Sequence, residues 1–204
     1  MCLKGENISF GYKKNILILN NVNISLERGE VLGLIGDSGS GKSTLCKILS
    51  GYENNFQGKV SMDGKEIPSN GYNPVQLVFQ HPEKAVNPKW KMQDILNEGD
   101  NVSQHILDSF GIKKSWLNRW PNELSGGELQ RFALARALGP KTKYLIADEI
   151  TTMLDAITQA QIWNTIMGVV DETNIGVLVV SHEKNLIKRL CHNVIYLKDI
   201  NSVA

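Results

Sequence analysis

The sequence contains no run of the about 18 apolar residues needed to cross a bilayer. Its cleanest apolar runs, such as Ile175–Val180, are strand-sized. It also lacks a signal peptide, because Met1, Cys2, Leu3 and Lys4 lead into a polar stretch. The chain is therefore expected to be soluble by itself, with any membrane attachment made through a partner. There is no excess of either charge: 22 lysines and arginines face 21 aspartates and glutamates, which gives no support for a broad nucleic-acid surface. The three cysteines (Cys2, Cys46, Cys191) form no C-x-x-C pair, so free thiols in a reducing cytosol are expected. No internal repeat and no low-complexity tract interrupts the chain. What is present suits one packed domain with room for a small inserted lobe: 204 residues, 42% hydrophobic and 21% charged.

The first third alternates strands and turns. Strands are expected at Asn7–Tyr12 and Asn20–Leu26, forming an antiparallel piece. The turn at Glu27–Glu30 then leads into the apolar run Val31–Ile35. A glycine-rich loop follows, then a helical pattern over Ser43–Leu49, which together open a βαβ unit. A hairpin is expected from Gly58–Met62 and Lys65–Ile67 about the Asp63-Gly64 turn, followed by a strand over Pro74–Gln80. From about residue 81 to 139 the strand signal vanishes. Helical periodicity takes over at Met92–Asn97, Val102–Phe110 and Gly127–Leu138, and three of the four tryptophans fall here. This stretch is expected to form a helical subdomain. Alternation then returns, with strands at Tyr144–Ala147, Val177–Val180 and Val194–Leu197 and helices at Ile157–Val170 and Glu183–Leu190. The pattern predicts an α/β fold with a mostly parallel, helix-covered sheet.

Gly36-Asp37-Ser38-Gly39-Ser40-Gly41-Lys42-Ser43 meets every fixed position of the phosphate-loop pattern G-x-x-x-x-G-K-[ST]. Glycines let backbone N–H groups turn inward into an anion nest, and the following helix adds its positive N-terminus. Lys42 is suited to reach the β- and γ-phosphates and the Ser43 hydroxyl to ligate Mg²⁺. The strand before and the helix after are the context this pattern requires. The loop alone says only that a nucleotide binds.

Two further segments narrow the chemistry. Tyr144–Ala147 is an apolar strand that runs into Asp148 and Glu149, placing two carboxylates where α/β sheets bind ligands. Asp148 is suited to hold Mg²⁺, directly or through water, and Glu149 to polarise the water that attacks a γ-phosphate. Leu124-Ser125-Gly126-Gly127-Glu128-Leu129-Gln130-Arg131 offers a hydroxyl, two glycines and a helix N-terminus to an anion. Ser125 with Glu128 also reads as an ordinary capping box.

This last segment resembles the LSGGQ-type signature of ABC ATPases. Other elements of that family follow in the expected order. Tyr12 matches the aromatic that stacks on adenine, Gln80 the Q-loop glutamine that touches Mg²⁺, Leu154-Asp155 the D-loop, and His182 the switch histidine that contacts the γ-phosphate. The resemblance covers about Asn7 to Leu197. It implies one ABC ATPase domain over residues 1–204, a P-loop NTPase. Its parts would be a RecA-like core with an antiparallel β subdomain near the N-terminus (1–80 and 140–204) and the helical insert at 81–139. It carries ATP contacts to Tyr12, Gly36, Asp37, Ser38, Gly39, Ser40, Gly41, Lys42, Ser43 and Thr44. Mg²⁺ contacts fall to Ser43, Gln80 and Asp148, and catalytic roles to Glu149, His182 and Lys42. Ser125, Gly126, Gly127 and Glu128 would meet the nucleotide of a second ABC ATPase subunit, homo- or heterodimeric.

Gln80-His81-Pro82-Glu83-Lys84-Ala85-Val86-Asn87-Pro88 is similar to the Q-loop of dipeptide, oligopeptide and nickel importer ATPases. That likeness implies a cytoplasmic motor on the inner membrane face, bound to permease subunits and served by an extracytoplasmic substrate-binding protein. The cargo would be peptides, nickel or metal chelates. Two departures stand out. Met153 replaces the usual D-loop alanine, and the sequence ends at Ala204, where relatives of this kind usually continue. Three other readings stand beside the importer: a non-transport ABC protein, a weakly hydrolysing ABC-like scaffold, and a small-molecule kinase sharing the phosphate loop. No place exists in the kinase reading for Ser125-Gly126-Gly127 or His182.

Overall fold

The computed structural model describes residues 1–13, 16–68, 70–99 and 101–203. Two sheets and a group of helices make up the fold. A three-stranded antiparallel sheet, ordered β2-β1-β4, is built from β1 (Cys2–Phe10), β2 (Leu19–Glu27) and β4 (Gln57–Met62). A five-stranded parallel sheet, ordered β5-β6-β7-β3-β8, is built from β3 (Val31–Ile35), β5 (Val75–Val78), β6 (Tyr144–Asp148), β7 (Gly176–Val180) and β8 (Asn193–Tyr196). The helices are α1 (Lys42–Leu49), α2 (Met92–Asn97), α3 (Gln104–Ser109), α4 (Gly126–Ala137), α5 (Ala156–Thr173), α6 (Lys184–Leu190) and α7 (Leu197–Ile200). The fold class is therefore α/β, a P-loop fold with one parallel and one antiparallel sheet.

The parallel strands β3, β6 and β7 are buried at every position, as a sheet covered on both faces requires. Their side chains alternate between two cores. Val31, Ile35, Leu145, Ala147, Val177 and Val179 face one, which is shared with α2, α4 and α5. Leu32, Leu34, Tyr144, Ile146, Leu178 and Val180 face the other, which is shared with α1 and the antiparallel sheet. Because α1 lies between the two sheets, Leu45, Cys46, Ile48 and Leu49 are all buried. Between β5 and β6 the chain forms α2, α3, α4 and three short 3-10 turns, with no strand among the described residues. Phe110 and Phe132 anchor this part. Both are fully buried, and truncating either to alanine costs about 3–5 kcal/mol.

Several element ends differ from the sequence expectation. β1 begins at Cys2 rather than Asn7, and stops at Phe10 rather than Tyr12. Its pairing with β2 shifts register between Gly5 and Ile8, and Asn7 sits there at φ 53°. That bulge breaks the alternation which would have marked the first half of the strand. The strand stops because Gly11 lies against the Ile16 carbonyl so closely that a Cβ there would collide with it. Asp63 and Gly64, at φ 54° and 77°, form the expected turn, but Lys65–Ile67 is no strand and keeps only one bridge, Met62 to Lys65. Pro68 follows closely and has no N–H to extend a ladder. Leu197 starts α7 instead of ending β8. α5 runs three residues further than expected, to Thr173, and closes on Asn174 in the left-handed conformation at φ 56°.

Candidate functional site

Four neighbouring strand tips, in the order β5-β6-β7-β3, place the chemistry-bearing residues at one edge of the parallel sheet. Gln80 lies just beyond β5, Asp148 and Glu149 end β6, His182 follows β7, and the phosphate loop follows β3. This is the carboxyl-terminal edge, where open α/β sheets bind ligands.

The phosphate loop is shaped by its glycines. Gly39 and Gly41 take φ 77° and 103°, a region that side chains disfavour. Gly41 precedes α1 with no side-chain cap, so the first N–H groups of that helix are left for a ligand. Lys42 is buried and folds back, its Nζ donating to the carbonyls of Gly36 at 2.7 Å and Asp37 at 2.9 Å. The Ser40 hydroxyl is buried without a partner among the described residues. Asp37 and Ser38 form the exposed rim of the loop. The Tyr12 hydroxyl lies 3.3 Å from Thr44 Oγ1 in the first turn of α1, and its ring meets Phe10 edge-on at 4.8 Å. Tyr12 is 62% exposed, which leaves an aromatic face open beside the loop.

Asp148 is buried at the end of β6, and Ser43 hydrogen-bonds to its carboxylate. Burial pushes the Asp148 carboxyl above the usual range, against the lowering effect of the Ser43 bond and of Lys42. Its Oδ1 has no partner among the described residues. An orphaned carboxylate oxygen beside a serine hydroxyl is the pair of hard oxygen donors that Mg²⁺ accepts together with phosphate oxygens. The residues present therefore fit this ion.

Glu149 is strained. Its φ is 52°, a conformation unusual for a side chain longer than that of asparagine. The residue is tied on both sides. Its N–H donates to the Val180 carbonyl at 3.0 Å, and its own carbonyl accepts from the Thr152 hydroxyl at 3.0 Å. As a result its Oε1 stands 4.0 Å from Lys42 Nζ and 3.5 Å from His182 Nδ1. His182 is 54% exposed, so the imidazole borders the open side of the site.

The structure does not bring the signature segment to this phosphate loop. Ser125 caps α4, its hydroxyl accepting from the Glu128 N–H at 3.3 Å while the Glu128 carboxylate accepts from the Ser125 N–H at 2.8 Å. Among the described residues no hydrogen bond or ion pair links 125–128 to 36–44. A Cβ on Gly127 would stand 3.3 Å from Thr158 Cγ2, whereas one on Gly126 would meet nothing within 4 Å. Asp155 caps α5, accepting from the N–H groups of Ile157 and Thr158 at 3.0 Å each and from the Thr158 hydroxyl at 2.6 Å. Those bonds, the Thr158 hydroxyl first, hold its carboxyl below the usual range. Met153 and Ile157 flank it, 65% and 72% exposed. Gln80 is half-buried, and its side chain makes no hydrogen bond among the described residues.

Sequence reasoning missed a set of contacts that reaches Glu183, the residue after His182. Thr151 Oγ1 accepts from Gln159 and Trp163 at 3.1 Å each, and Gln159 reaches Glu183 at 3.4 Å. This set ties α5 to the turn that follows β7. No motif spans residues 151, 159 and 183, so only the fold reveals it.

A nucleotide-type phosphate loop, a strained carboxylate beside it and a helical insert carrying a glycine signature define a P-loop ATPase cassette. The chain belongs to the ABC transporter family, whose profile matches residues 19–152. It is 34% identical over 208 aligned positions to the nickel import system ATP-binding protein NikE of Staphylococcus aureus strain RF122, covering 95% of this chain and 85% of the relative. The NikE protein of strain N315 matches equally, at 34% identity and the same coverage. Among solved structures, the dimeric bacterial ABC transporter cassette MJ0796 superposes with a TM-score of 0.79 at 27% identity, covering 95% of this chain and 93% of that one. Its post-hydrolysis state bound to ADP and Pi gives a TM-score of 0.79, also at 27% identity, over 97% and 94%.

Proposed function

We propose that this chain is the ATP-binding and ATP-hydrolysing subunit of an ABC importer, with nickel or peptides as cargo. The observation that carries the ATPase is the position of Glu149, held in a strained conformation between Lys42 and His182 at the mouth of the phosphate loop. ATP binds with its phosphates in the nest of Gly36–Ser43 and its adenine against Tyr12. Lys42 exchanges the carbonyls of Gly36 and Asp37 for phosphate oxygens, a short movement because those carbonyls line the same loop. Glu149 orients a water toward the γ-phosphorus and accepts its proton as the bond to ADP breaks. His182 holds the γ-phosphate and keeps the Glu149 carboxylate in place. Ser43 and Asp148 would hold Mg²⁺, with Gln80 as the further ligand the family resemblance implies, and the ion would supply charge neutralisation at the β- and γ-phosphates.

The open side of the phosphate loop leaves room for further donors, and among the described residues no hydrogen bond or ion pair ties Ser125–Gly127 to that loop. A head-to-tail pair of cassettes resolves both, each ATP lying between one phosphate loop and the other subunit's signature. The dimeric state of MJ0796 supports this arrangement. Asp155, flanked by the exposed Met153 and Ile157, belongs to the same contact. The helical stretch 81–139 would pass closure through Gln80 to permease subunits, which hold the chain at the cytoplasmic face of the membrane. A substrate-binding protein would deliver the cargo. No helix among the described residues is long and apolar enough to cross a membrane, in keeping with attachment through permeases.

NikE is the support for nickel, and the Q-loop stretch Gln80–Pro88 supports the wider peptide and nickel group. Deleting the chain from its host and measuring nickel and dipeptide uptake tests the cargo. Loss of nickel accumulation supports nickel, and loss of dipeptide uptake alone moves the cargo to peptides. Unchanged uptake of both contradicts the importer reading.

A further inference from the structure

The segment after β8 folds back onto the loop that carries Tyr12. Asn201 makes two side-chain bonds there. Its Oδ1 accepts from the Asn20 N–H at 2.8 Å, and its Nδ2 donates to the Ile18 carbonyl at 2.9 Å. The neighbouring backbone adds two more: the Ser202 N–H donates to Asn20 O at 3.0 Å, and Asn20 Nδ2 donates to Ser202 O at 3.0 Å.

Ile18 is where this clamp reaches the nucleotide site. Its N–H donates to Phe10 O at 2.8 Å, closing the base of the loop that begins at Gly11 and includes Tyr12. Its side chain packs on the last glycine of the phosphate loop, so that a Cβ on Gly41 would stand 2.8 Å from Ile18 Cγ2. Leu197, fully buried in the same segment as Asn201, lies 3.3 Å from the place a Cβ on Gly36 would take. Asn201 also lines a cavity of about 450 Å³ shared with Gly36, Asp37, Gly39 and Ser40. One short segment thus touches both ends of the phosphate loop and fixes the base of the aromatic loop.

We propose that Asn201 is a positioning residue for the nucleobase: its amide holds Ile18, and through Ile18 the Tyr12 ring, in register with the phosphate loop. The inference rests on the reading of Tyr12 as the base-stacking residue. Only a side chain with one acceptor and one donor in this geometry satisfies both the Asn20 N–H and the Ile18 carbonyl. An aspartate keeps the shape but sets a carboxylate oxygen against the Ile18 carbonyl. Ile18 also touches Gly41, but the phosphate loop is anchored at both ends by β3 and α1, whereas the loop beginning at Gly11 is closed by the Ile18–Phe10 bond, so loss of the Asn201 amide falls mainly on the base.

The test is calorimetric binding of ATP and of inorganic tripolyphosphate to the full chain and to Asn201→Ala, Asn201→Asp and Tyr12→Ala. Asn201→Asp, which loses one of the two bonds, is expected to bind ATP about fivefold more weakly, and Asn201→Ala, which loses both, at least as weakly, with tripolyphosphate affinity unchanged. Tyr12→Ala is expected to show the same pattern. An Asn201→Ala protein that binds ATP as tightly as wild type overturns the proposal while leaving the Tyr12 reading intact. Equal losses for ATP and tripolyphosphate also overturn it, because they show general damage to the loop. Wild-type ATP affinity in Tyr12→Ala overturns the Tyr12 reading and the proposal with it.

Discussion

The Glu149 carboxylate and the His182 imidazole meet 3.5 Å apart across the tips of two neighbouring strands, β6 and β7. The two residues are linked at the backbone level as well, because the Glu149 N–H continues the ladder onto Val180, two residues before His182. This link explains how a carboxylate at φ 52° keeps its aim. The strand below is fully buried and the strand beside it holds its amide, so the backbone cannot relax to a negative φ without breaking that bond.

Replacing His182 with alanine should lower the rate at saturating ATP on the order of 10²-fold, the scale for loss of one positioned donor to charge developing in the transition state. The melting temperature should change little, because the imidazole is 54% exposed and its partner is Glu149 at the site rather than a core group. Steady-state kinetics with a thermal melt checks this. A melt lowered in step with activity would mean a structural role instead.

Gly126 and Gly127 should respond differently to alanine. At Gly126 a methyl group meets nothing in the chain, so Gly126→Ala should melt like wild type. It should nonetheless lose about a hundredfold in turnover, the cost of displacing a bound group by about 1 Å, because in the proposed head-to-tail pair the methyl would project toward the partner's nucleotide. Gly127→Ala should also lower the melting temperature, since its methyl would stand 3.3 Å from Thr158 Cγ2, closer than an ordinary contact. Melting curves and ATPase rates of the two variants decide the matter.

Asp155 gives a pH dependence with a defined sign. Its carboxyl is held below the usual range by Thr158 and the first N–H groups of α5, so the folded state binds its proton less readily than the unfolded state. The stabilisation is complete above the ordinary carboxylate pKa and is lost as pH falls through the lowered value. Asp155→Ala should lower the melting temperature at neutral pH through loss of the cap. Asp155→Asn should keep most of the cap and show a shallower fall in melting temperature on acidification. Melts of the nucleotide-free protein across this pH range provide the measurement.

Much of the fold was legible because its central strands are covered on both faces. Such strands read as unbroken apolar runs, and Val31–Ile35, Tyr144–Asp148 and Gly176–Val180 lie where those runs do. The phosphate loop was legible because it needs glycine at fixed places. The first half of β1 was not, because the bulge at Asn7 resets the alternation by which a half-buried strand is recognised. Nor was the fate of Lys65–Ile67, where local propensity favoured a strand and the sheet supplied no neighbour beyond one bridge. The contacts among Thr151, Gln159 and Glu183, and those of Asn201 with Ile18 and Asn20, join residues far apart in the chain. Nothing local announces them. The sequence offers Ser125–Gly127 as a candidate anion-binding segment, and only the structure shows that, among the described residues, it makes no bond to its own chain's phosphate loop.

The central claim is that Glu149 drives hydrolysis in a site completed by a second cassette. Its most direct test is Mg²⁺-dependent ATP hydrolysis measured against protein concentration for wild type and Glu149→Gln. The account predicts that wild-type activity rises more than linearly with concentration, while the variant binds ATP and does not turn it over. Activity strictly proportional to concentration, and equal in the two proteins, would contradict it.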